Sequence, residues 1–161
     1  MIVVSNTSPI MNLAAIGRLD LLLSMFGSLS IPPAVQAEFQ AAFTDLPSAV
    51  ERKIPSWVRV EPPPRPDIVV PLLSNLHPGE AESIALALGL RADLLLVDEK
   101  RARQIAREMG LRVLGLLGLL LAAKRRGILS GVRPVLDDLV GRAGFWVGAE
   151  LYAKVLTEAG E

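Results

Sequence analysis

The stretch from His77 to Arg107 limits the folds open to this chain more than any other part of it. After His77 come Pro78-Gly79-Glu80, which are residue types typical of a helix start. An apolar helix is therefore predicted over 79–89. A short apolar strand over 93–97 follows, and then a basic helix over 100–109. A helix, a strand and a second helix in direct succession are typical of an α/β fold with a parallel sheet.

The rest of the chain alternates in the same way. Four further strands are predicted at Ile2-Val3-Val4, 29–31, 57–60 and 111–114, and the unbroken apolar character of the first indicates a central strand covered on both faces. This alternation implies a parallel sheet with right-handed crossovers. Helices are predicted at 12–16, 19–26, from Pro33 through Phe39, 45–53, 68–76, 115–126, 135–142 and 149–158.

Length and composition favour one domain over 1–161 and exclude several kinds of site. The chain has 161 residues, of which 51% are hydrophobic and 4% aromatic, so the expected core is aliphatic. The absence of Cys excludes disulfides and thiolate zinc sites, and a single His disfavours a His-based metal site. We see no signal peptide, and the longest apolar run, 113–123, is about half a bilayer span. We therefore expect a cytoplasmic protein with no membrane partner.

Polar side chains occur where a parallel sheet would bring them to one edge. Asn6 follows the first strand, Glu38 lies in the helix after the second, and Asp98 follows the strand over 93–97. Glu80 and Glu82 begin the helix before that strand. Sites in open α/β sheets lie outside the carboxyl ends of the strands. A set of oxygen ligands without His or Cys favours Mg²⁺ or Mn²⁺ over Zn²⁺.

Each of these residues also has a purely structural interpretation. Glu80 and Glu82 lie in the first turn of a helix, where acids complement the helix dipole. Asp98 is a candidate N-cap of the basic helix, and Asn6 of the first helix. Glu38 fits the solvated face of its own helix. Spacing alone leaves both interpretations open at every position.

Taken together, the segments resemble the PIN domain, the metal-dependent ribonuclease fold of VapC-like toxins. The resemblance covers about 2–126, with further helices over 131–161, and implies a three-layer α/β/α domain with a central parallel sheet. The matching segments are Val3-Val4-Ser5-Asn6-Thr7-Ser8-Pro9, Ile31-Pro32-Pro33-Ala34-Val35-Gln36-Ala37-Glu38, Gly79-Glu80-Ala81-Glu82-Ser83-Ile84-Ala85-Leu86-Ala87, Leu94-Leu95-Leu96-Val97-Asp98-Glu99 and Gly110-Leu111-Arg112-Val113-Leu114-Gly115.

The resemblance implies which residues hold the metal. The family's first acid falls on Asn6, its second on Glu38 and its fourth on Asp98. The third falls on Glu80 or Glu82, and the spacing to Asp98 favours Glu80. Glu82 lies about 200° further around the helix, so the two glutamates are not expected to share one role. Mg²⁺ or Mn²⁺ is the implied cofactor.

The chain departs from the family at its first position, where Asn6 replaces the usual Asp. An amide keeps one oxygen as a neutral ligand but loses a negative charge, which weakens metal affinity and the activation of water. The resemblance implies a metal-dependent endoribonuclease acting on RNA, the toxin of a toxin–antitoxin pair, with Thr7 or Ser8 orienting groups nearby. The alternatives are a catalytically silent PIN-like module that binds nucleic acid or protein, and a phosphatase.

Two surfaces are candidates for partners. Apolar residues of the first helices are predicted to meet a small antitoxin protein or the second copy of a homodimer: Ile10, Leu13, Ile16, Leu22 and Met25. Basic residues of one helix are candidates for RNA phosphates, with a solvated face and a Glu99–Arg103 pair as the alternative: Lys100, Arg101, Arg103 and Arg107. Aromatic residues are scarce, so no base-stacking platform is expected. Trp57 and Trp146 are predicted to be core or interface residues.

Overall fold

The computed structural model describes residues 1–42 and 53–161, so the helix predicted over 45–53 falls almost wholly outside the described residues. The described chain contains a five-stranded, entirely parallel sheet. The predicted alternation of strands and helices is therefore confirmed. The strands are β1 (Val3–Ser5), β2 (Leu29–Ile31), β3 (Val58–Val60), β4 (Leu94–Leu96) and β5 (Val113–Leu114).

Helices connect and cover these strands close to the predicted positions. Three segments differ: the first helix begins at Thr7 instead of residue 12, the predicted helix over 68–76 ends as an α-helix at Leu72, and the last strand has two residues instead of four. Ser74 and Asn75 follow Leu72, and both residue types compete with helical hydrogen bonding. The helices are α1 (Thr7–Ala15), α2 (Asp20–Phe26), α3 (Pro33–Ala42), a 3₁₀ turn (Pro66–Ile68), α4 (Val69–Leu72), α5 (Pro78–Leu90), α6 (Lys100–Glu108), α7 (Leu116–Arg125), α8 (Arg133–Arg142) and α9 (Ala149–Glu158).

The strand order is β3-β2-β1-β4-β5, with β1 at the centre as predicted. The chain builds the sheet outward from β1 in one direction through β2 and β3, and in the other through β4 and β5. The strand order therefore reverses between β1 and β4, where Ser5 pairs with Leu96. In doubly wound sheets the crevice at such a reversal is where ligands bind.

Two apolar cores lie on opposite faces of the sheet. Successive side chains of a strand point to opposite faces, so Val3 and Leu96 join one core while Val4 and Leu95 join the other. Residues of α1, α2, α3, α7, α8 and α9 build the first core, and residues of α5 and α6 build the second. The predicted three-layer α/β/α architecture is confirmed. Among the residues described, no helix combines the length and the apolar character that a membrane crossing requires.

The apolar partner surface predicted on the first helices is wrong. All five of its residues are buried in the first core: Ile10, Leu13, Ile16, Leu22 and Met25. The helices α8 and α9 contribute to the same core, and α8 contacts α1 directly. The periodic apolar face of the first two helices is thus covered from within the chain.

Candidate functional site

Asn6 lies at the point where the strand order reverses. It follows β1, and its backbone N–H donates to the Leu96 carbonyl of β4 at 2.9 Å. It occupies the N-cap position of α1, as its structural interpretation predicts, but its side chain makes no capping hydrogen bond. The residue is only 4% exposed, and its Oδ1 atom has no hydrogen-bond partner within the described chain. A buried oxygen without a partner is rare, and this one is free to bind a ligand.

Glu38 is oriented by two donors from different elements. It lies half-buried on α3, and its carboxylate accepts hydrogen bonds from the Thr7 hydroxyl and from the Gly79 N–H, the latter at 3.1 Å. Thr7 begins α1 and Gly79 lies in the first turn of α5. The N-termini of two helices therefore fix the position of this carboxylate.

Glu80 and Glu82 have different surroundings, as the turn of the helix predicted. Glu80 is buried, and its carboxylate accepts the His77 N–H at 3.0 Å, which caps the start of α5. Glu82 is half-buried and accepts the Ala34 N–H at 3.4 Å, on the side of α3. One carboxylate oxygen of Glu80 therefore caps the helix, as the structural interpretation predicts.

A cavity of about 500 Å³ brings three of the predicted site residues together. Asn6, Glu38 and Glu80 all line it, whereas Glu82 is not among its lining residues. The other residues around it include the alcohols of Thr7 and Ser8, together with Met11, Asn12, His77 and Pro78.

Asp98 lies next to this cavity and caps a helix that follows much later in the chain. Its carboxylate accepts the Leu116 N–H at the start of α7 at 2.7 Å and the Ser8 hydroxyl at 3.1 Å. The predicted N-cap role toward α6 is wrong, because Glu99 occupies that position. Burial raises the pKa of the Asp98 carboxyl, although both hydrogen bonds and the positive charge of Arg103 act in the opposite direction.

A second cavity of about 630 Å³ extends from Asp98 and shares Ser8 with the first. Three of the predicted basic residues line it: Lys100, Arg103 and Arg107. Arg101 instead donates to the Asn75 side chain at 2.7 Å. The predicted ion pair between Glu99 and Arg103 is not formed in the part of the chain that the structure covers.

The two tryptophans differ sharply in exposure. Trp57 is half-buried and packs against the first core, in agreement with the prediction. Trp146 is 85% exposed and lines the second cavity, so a core role for it is wrong. An interface role for Trp146 stays a prediction.

The first cavity fits a hard divalent cation that keeps several waters. Mg²⁺ typically takes only one or two carboxylates from the protein, and here one amide oxygen and two carboxylates surround the same space. No three acidic or histidine side chains lie close enough together to hold a metal within residues 1–42 and 53–161. The amide oxygen of Asn6 adds a third side-chain oxygen donor to the lining of this cavity, beside the carboxylates of Glu38 and Glu80.

Sequence reasoning did not assign the donors that hold these carboxylates. Thr7 and Ser8 were expected only to orient groups nearby, and they donate to Glu38 and Asp98. The glycine at position 79 was assigned only to the start of the helix. A glycine at a helix N-terminus leaves room for an anionic side chain from another element to approach the backbone N–H, and this could have predicted the contact.

Similarity to a known protein family extends over nearly the whole chain. A family model described as a PIN domain, DUF3368, matches residues 2–161. None of the curated proteins compared with the chain matches it. PIN domains are nuclease or nucleic-acid-binding modules and generally use divalent metal ions.

Proposed function

The chain belongs to the PIN-domain family, and on that premise we propose that it is a Mg²⁺- or Mn²⁺-dependent endoribonuclease, the toxin component of a toxin–antitoxin pair. One observation carries the catalytic part of this proposal. The unpartnered Oδ1 atom of Asn6 is buried at the reversal of the strand order, in the same cavity as the carboxylates of Glu38 and Glu80.

In this proposal Asn6, Glu38 and Glu80 hold the metal from the first cavity, and Asp98 acts from its rim. A bound Mg²⁺ or Mn²⁺ supplies Lewis acidity that lowers the pKa of a coordinated water and neutralises charge on a phosphoryl group. Glu82, the other candidate for the third acid, is left out of the proposed site, because it does not line the first cavity and one of its carboxylate oxygens accepts the Ala34 N–H.

The residues of the chain supply orientation. Thr7 and Gly79 hold the Glu38 carboxylate, while Ser8 and Leu116 hold that of Asp98. The first turns of α1, α5 and α7 supply all four of these donors, and helix N-termini also favour the negative charge of an RNA phosphate. Electrostatic orientation of this kind is the main contribution that proteins make to phosphodiester chemistry.

Asn6 sets the strength of the proposed activity. Its amide is a neutral ligand where a carboxylate would add a negative charge, so the metal is held less tightly and activates water less strongly. Changing Asn6 to Asp restores that charge in nearly the same volume. We therefore expect the Asn6→Asp variant to bind Mn²⁺ more tightly and to cleave RNA faster than the chain with Asn6.

A second candidate is a catalytically silent module that binds nucleic acid or protein. It is favoured by the neutral Asn6 and by the lack of three converging acidic side chains in the described residues. Such a module keeps the fold and the cavities without hydrolysing RNA.

The deciding experiment is cleavage of a mixed RNA substrate in Mg²⁺, in Mn²⁺ and in EDTA. The chain with Asn6, the Asn6→Asp variant and the Asn6→Asp/Glu38→Ala double variant are compared at equal folded concentration. Cleavage by the first protein supports an active nuclease with Asn6 as a ligand. Cleavage only after Asn6→Asp indicates a nuclease silenced at one position, and no cleavage by any folded protein supports the silent module.

Two controls separate the remaining alternatives. A small phosphomonoester substrate tests the phosphatase, which would hydrolyse it and leave RNA intact. Arrest of growth on expression, relieved by Glu38→Ala, tests the toxin role, and light scattering tests the proposed homodimer. A small antitoxin would be recovered as a protein that relieves the arrest when both are expressed together.

A further inference from the structure

The second cavity forms a groove with a cationic side and an aromatic side, and it begins at Asp98. We name it the Trp146 groove. Apart from Ser8, Asp98 and Leu116, its lining residues have no role at the proposed metal site, which lies in the first cavity. The residues that define the groove are Lys100, Arg103, Arg107, Trp146, Leu151 and Asp98.

The cationic side belongs to one face of α6. Lys100, Arg103 and Arg107 are separated by three and four residues, so their side chains lie along the same stripe of the helix. At 1.5 Å per residue this stripe is about 10 Å long, enough for more than one phosphate of a strand. In the residues that the structure describes, none of the three makes an ion pair or a side-chain hydrogen bond with the protein.

Arg103 directs this charge toward the proposed catalytic edge. Arg103 and Asp98 both approach the backbone of Gly115, which has no side chain. If residue 115 carried a Cβ atom, that atom would lie 2.8 Å from Nη1 of Arg103 and 3.3 Å from Oδ1 of Asp98. The guanidinium thus lies near the Asp98 carboxylate without forming an ion pair with it in the described structure. A phosphate bound by Arg103 would reach the rim of the first cavity.

The aromatic side is Trp146, in the segment between α8 and α9. Its neighbour Phe145 packs against the first core, which anchors the backbone at this point, while Trp146 itself remains 85% exposed. An anchored segment with an exposed indole presents a flat apolar face at low conformational cost. Leu151 of α9, 46% exposed, lines the same groove.

We propose that the Trp146 groove binds single-stranded RNA, with one unpaired base stacked on the indole and the flanking phosphates on the α6 cations. The substrate class rests on the proposed function, but this binding requires neither metal nor cleavage. Base–aromatic stacking tolerates any sequence, because every base has a π-face. The scarcity of aromatic residues predicted no base-stacking platform, and this proposal differs from that prediction by one stacking position, Trp146.

RNA is favoured over an acidic peptide by the aromatic side of the groove. Asp98 and Glu99 line it beside the cations and repel carboxylates and phosphates alike, so charge does not choose between the two. An unpaired base can stack on the exposed Trp146 while its flanking phosphates lie on the cations, and the side chain of an acidic residue has no such flat face. Ser8 lines both cavities, so a strand in the groove would lie next to the proposed metal site.

The test measures binding of a labelled, unstructured RNA oligonucleotide in EDTA, where cleavage cannot contribute. We expect Trp146→Leu to raise the Kd by about 5- to 100-fold without changing its salt dependence, because stacking releases no counterions. The Arg103→Gln/Arg107→Gln double variant should reduce the slope of log K against log salt by about 0.7 for each phosphate that the removed cations had neutralised. Arg59→Gln, an exposed arginine on the edge strand β3 outside this groove, is the matched control and should leave the Kd unchanged.

Tryptophan emission gives an independent readout, since the chain has only two tryptophans. In a Trp57→Phe background the remaining emission comes from Trp146, and single-stranded RNA should quench it. A duplex RNA of the same length should quench it much less, because its bases are already paired and stacked.

Two results would overturn the proposal. One is an unchanged Kd for Trp146→Leu together with unchanged Trp146 emission on addition of RNA. The other is quenching by a polyglutamate peptide but not by RNA, which would assign the groove to an acidic protein. Cleavage is scored separately from binding, so the two proposals can fail independently. RNA binding that depends on Trp146, without any cleavage, would contradict only the proposed nuclease activity. Cleavage by a protein whose RNA binding does not depend on Trp146 would contradict only the proposed groove.

Discussion

The Glu38 carboxylate lies directly against the backbone of Gly79. The Gly79 N–H donates to it at 3.1 Å, and a Cβ atom on residue 79 would lie 2.5 Å from its nearer oxygen. The two residues are separated by 41 positions in the chain. Glycine at this position therefore lets a helix N-terminus hold a carboxylate from another element.

Gly79→Ala is expected to move the Glu38 carboxylate while leaving the fold intact. The added Cβ atom would clash with the carboxylate of Glu38, which is the far end of a flexible side chain and can move away. Alanine also favours a helix by about 0.5–1 kcal/mol over glycine, so the net change in the free energy of unfolding should be small. Removal of such a supporting hydrogen bond typically lowers metal affinity or activity by about 10- to 100-fold. The measurement is RNA cleavage, in the chain as given or in the Asn6→Asp variant, whichever cleaves.

Gly141→Ala on α8 is the matched control, because a Cβ atom there meets nothing within 4 Å. It should raise the free energy of unfolding by about 0.5–1 kcal/mol and leave cleavage unchanged. Undiminished cleavage by a folded Gly79→Ala variant would show that the position of Glu38 does not matter for the reaction.

Thr7→Val should uncouple the Glu38 carboxylate from α1. Valine has nearly the same shape but cannot donate the hydrogen bond, and a bond to a charged group is worth about 1.5–3 kcal/mol. We expect lower cleavage and weaker Mn²⁺ binding, measured by calorimetry. Thr7→Ser keeps the hydroxyl and should stay close to the parent, and equal losses in both variants would point to packing instead.

Asp98→Asn is expected to stabilise the metal-free protein and to abolish activity. Burial raises the pKa of Asp98 above its usual 3.8, so the folded state is penalised once the pH rises through that range, and the penalty persists at neutral pH. Asparagine removes the charge and can still accept the Leu116 N–H. At pH 7 the Tm should rise while cleavage falls by about 100-fold or more.

Thermal unfolding over a range of pH checks the sign of this effect. Well below pH 3.8 the carboxyl is protonated in both the folded and the unfolded state, so the difference in Tm between Asp98→Asn and the parent should vanish there. A variant that is less stable than the parent at pH 7 would contradict the assigned cause.

Ionisation of Glu161 should stabilise the folded protein, whereas ionisation of Asp98 destabilises it. The Glu161 side chain accepts the Val132 and Arg133 N–H groups at the start of α8 and pairs with Lys124 Nζ at 2.9 Å, and these contacts lower its pKa to about 2. The stabilisation is complete above pH 4.5 and disappears as the pH falls toward 2. Glu161→Gln should therefore lower the Tm at pH 7 and match the parent near pH 2, and a constant difference across that range would exclude this cap.

Much of the fold was predictable because its signals are local. Continuous apolar segments such as Ile2-Val3-Val4 identify buried parallel strands, and the residues that follow them must meet at the carboxyl edge of the sheet. Asn6, Glu38 and Glu80 were predicted on these grounds together with the family resemblance, and they share one cavity. Their role as metal ligands stays a prediction.

The apolar faces of the first helices were misjudged for a physical reason. The period of a helix tells which residues share a face, but not what covers that face. Leu13 and Leu22 are buried because α8 and α9, more than a hundred residues later, complete the same core. Trp146 is the reverse case, a large apolar side chain for which the fold provides no cover.

The sequence by itself determined the alternation of elements, the central position of β1 and the residues that follow the ends of the strands, because each depends on neighbours within a few positions. Only the tertiary structure decided which donors hold the carboxylates. Thr7 and Glu38 are 31 residues apart and Ser8 and Asp98 are 90 apart. Hydrogen bonds of this kind depend on distances of about 3 Å between atoms that no local pattern relates, so they exist only once the sheet and its helices have packed.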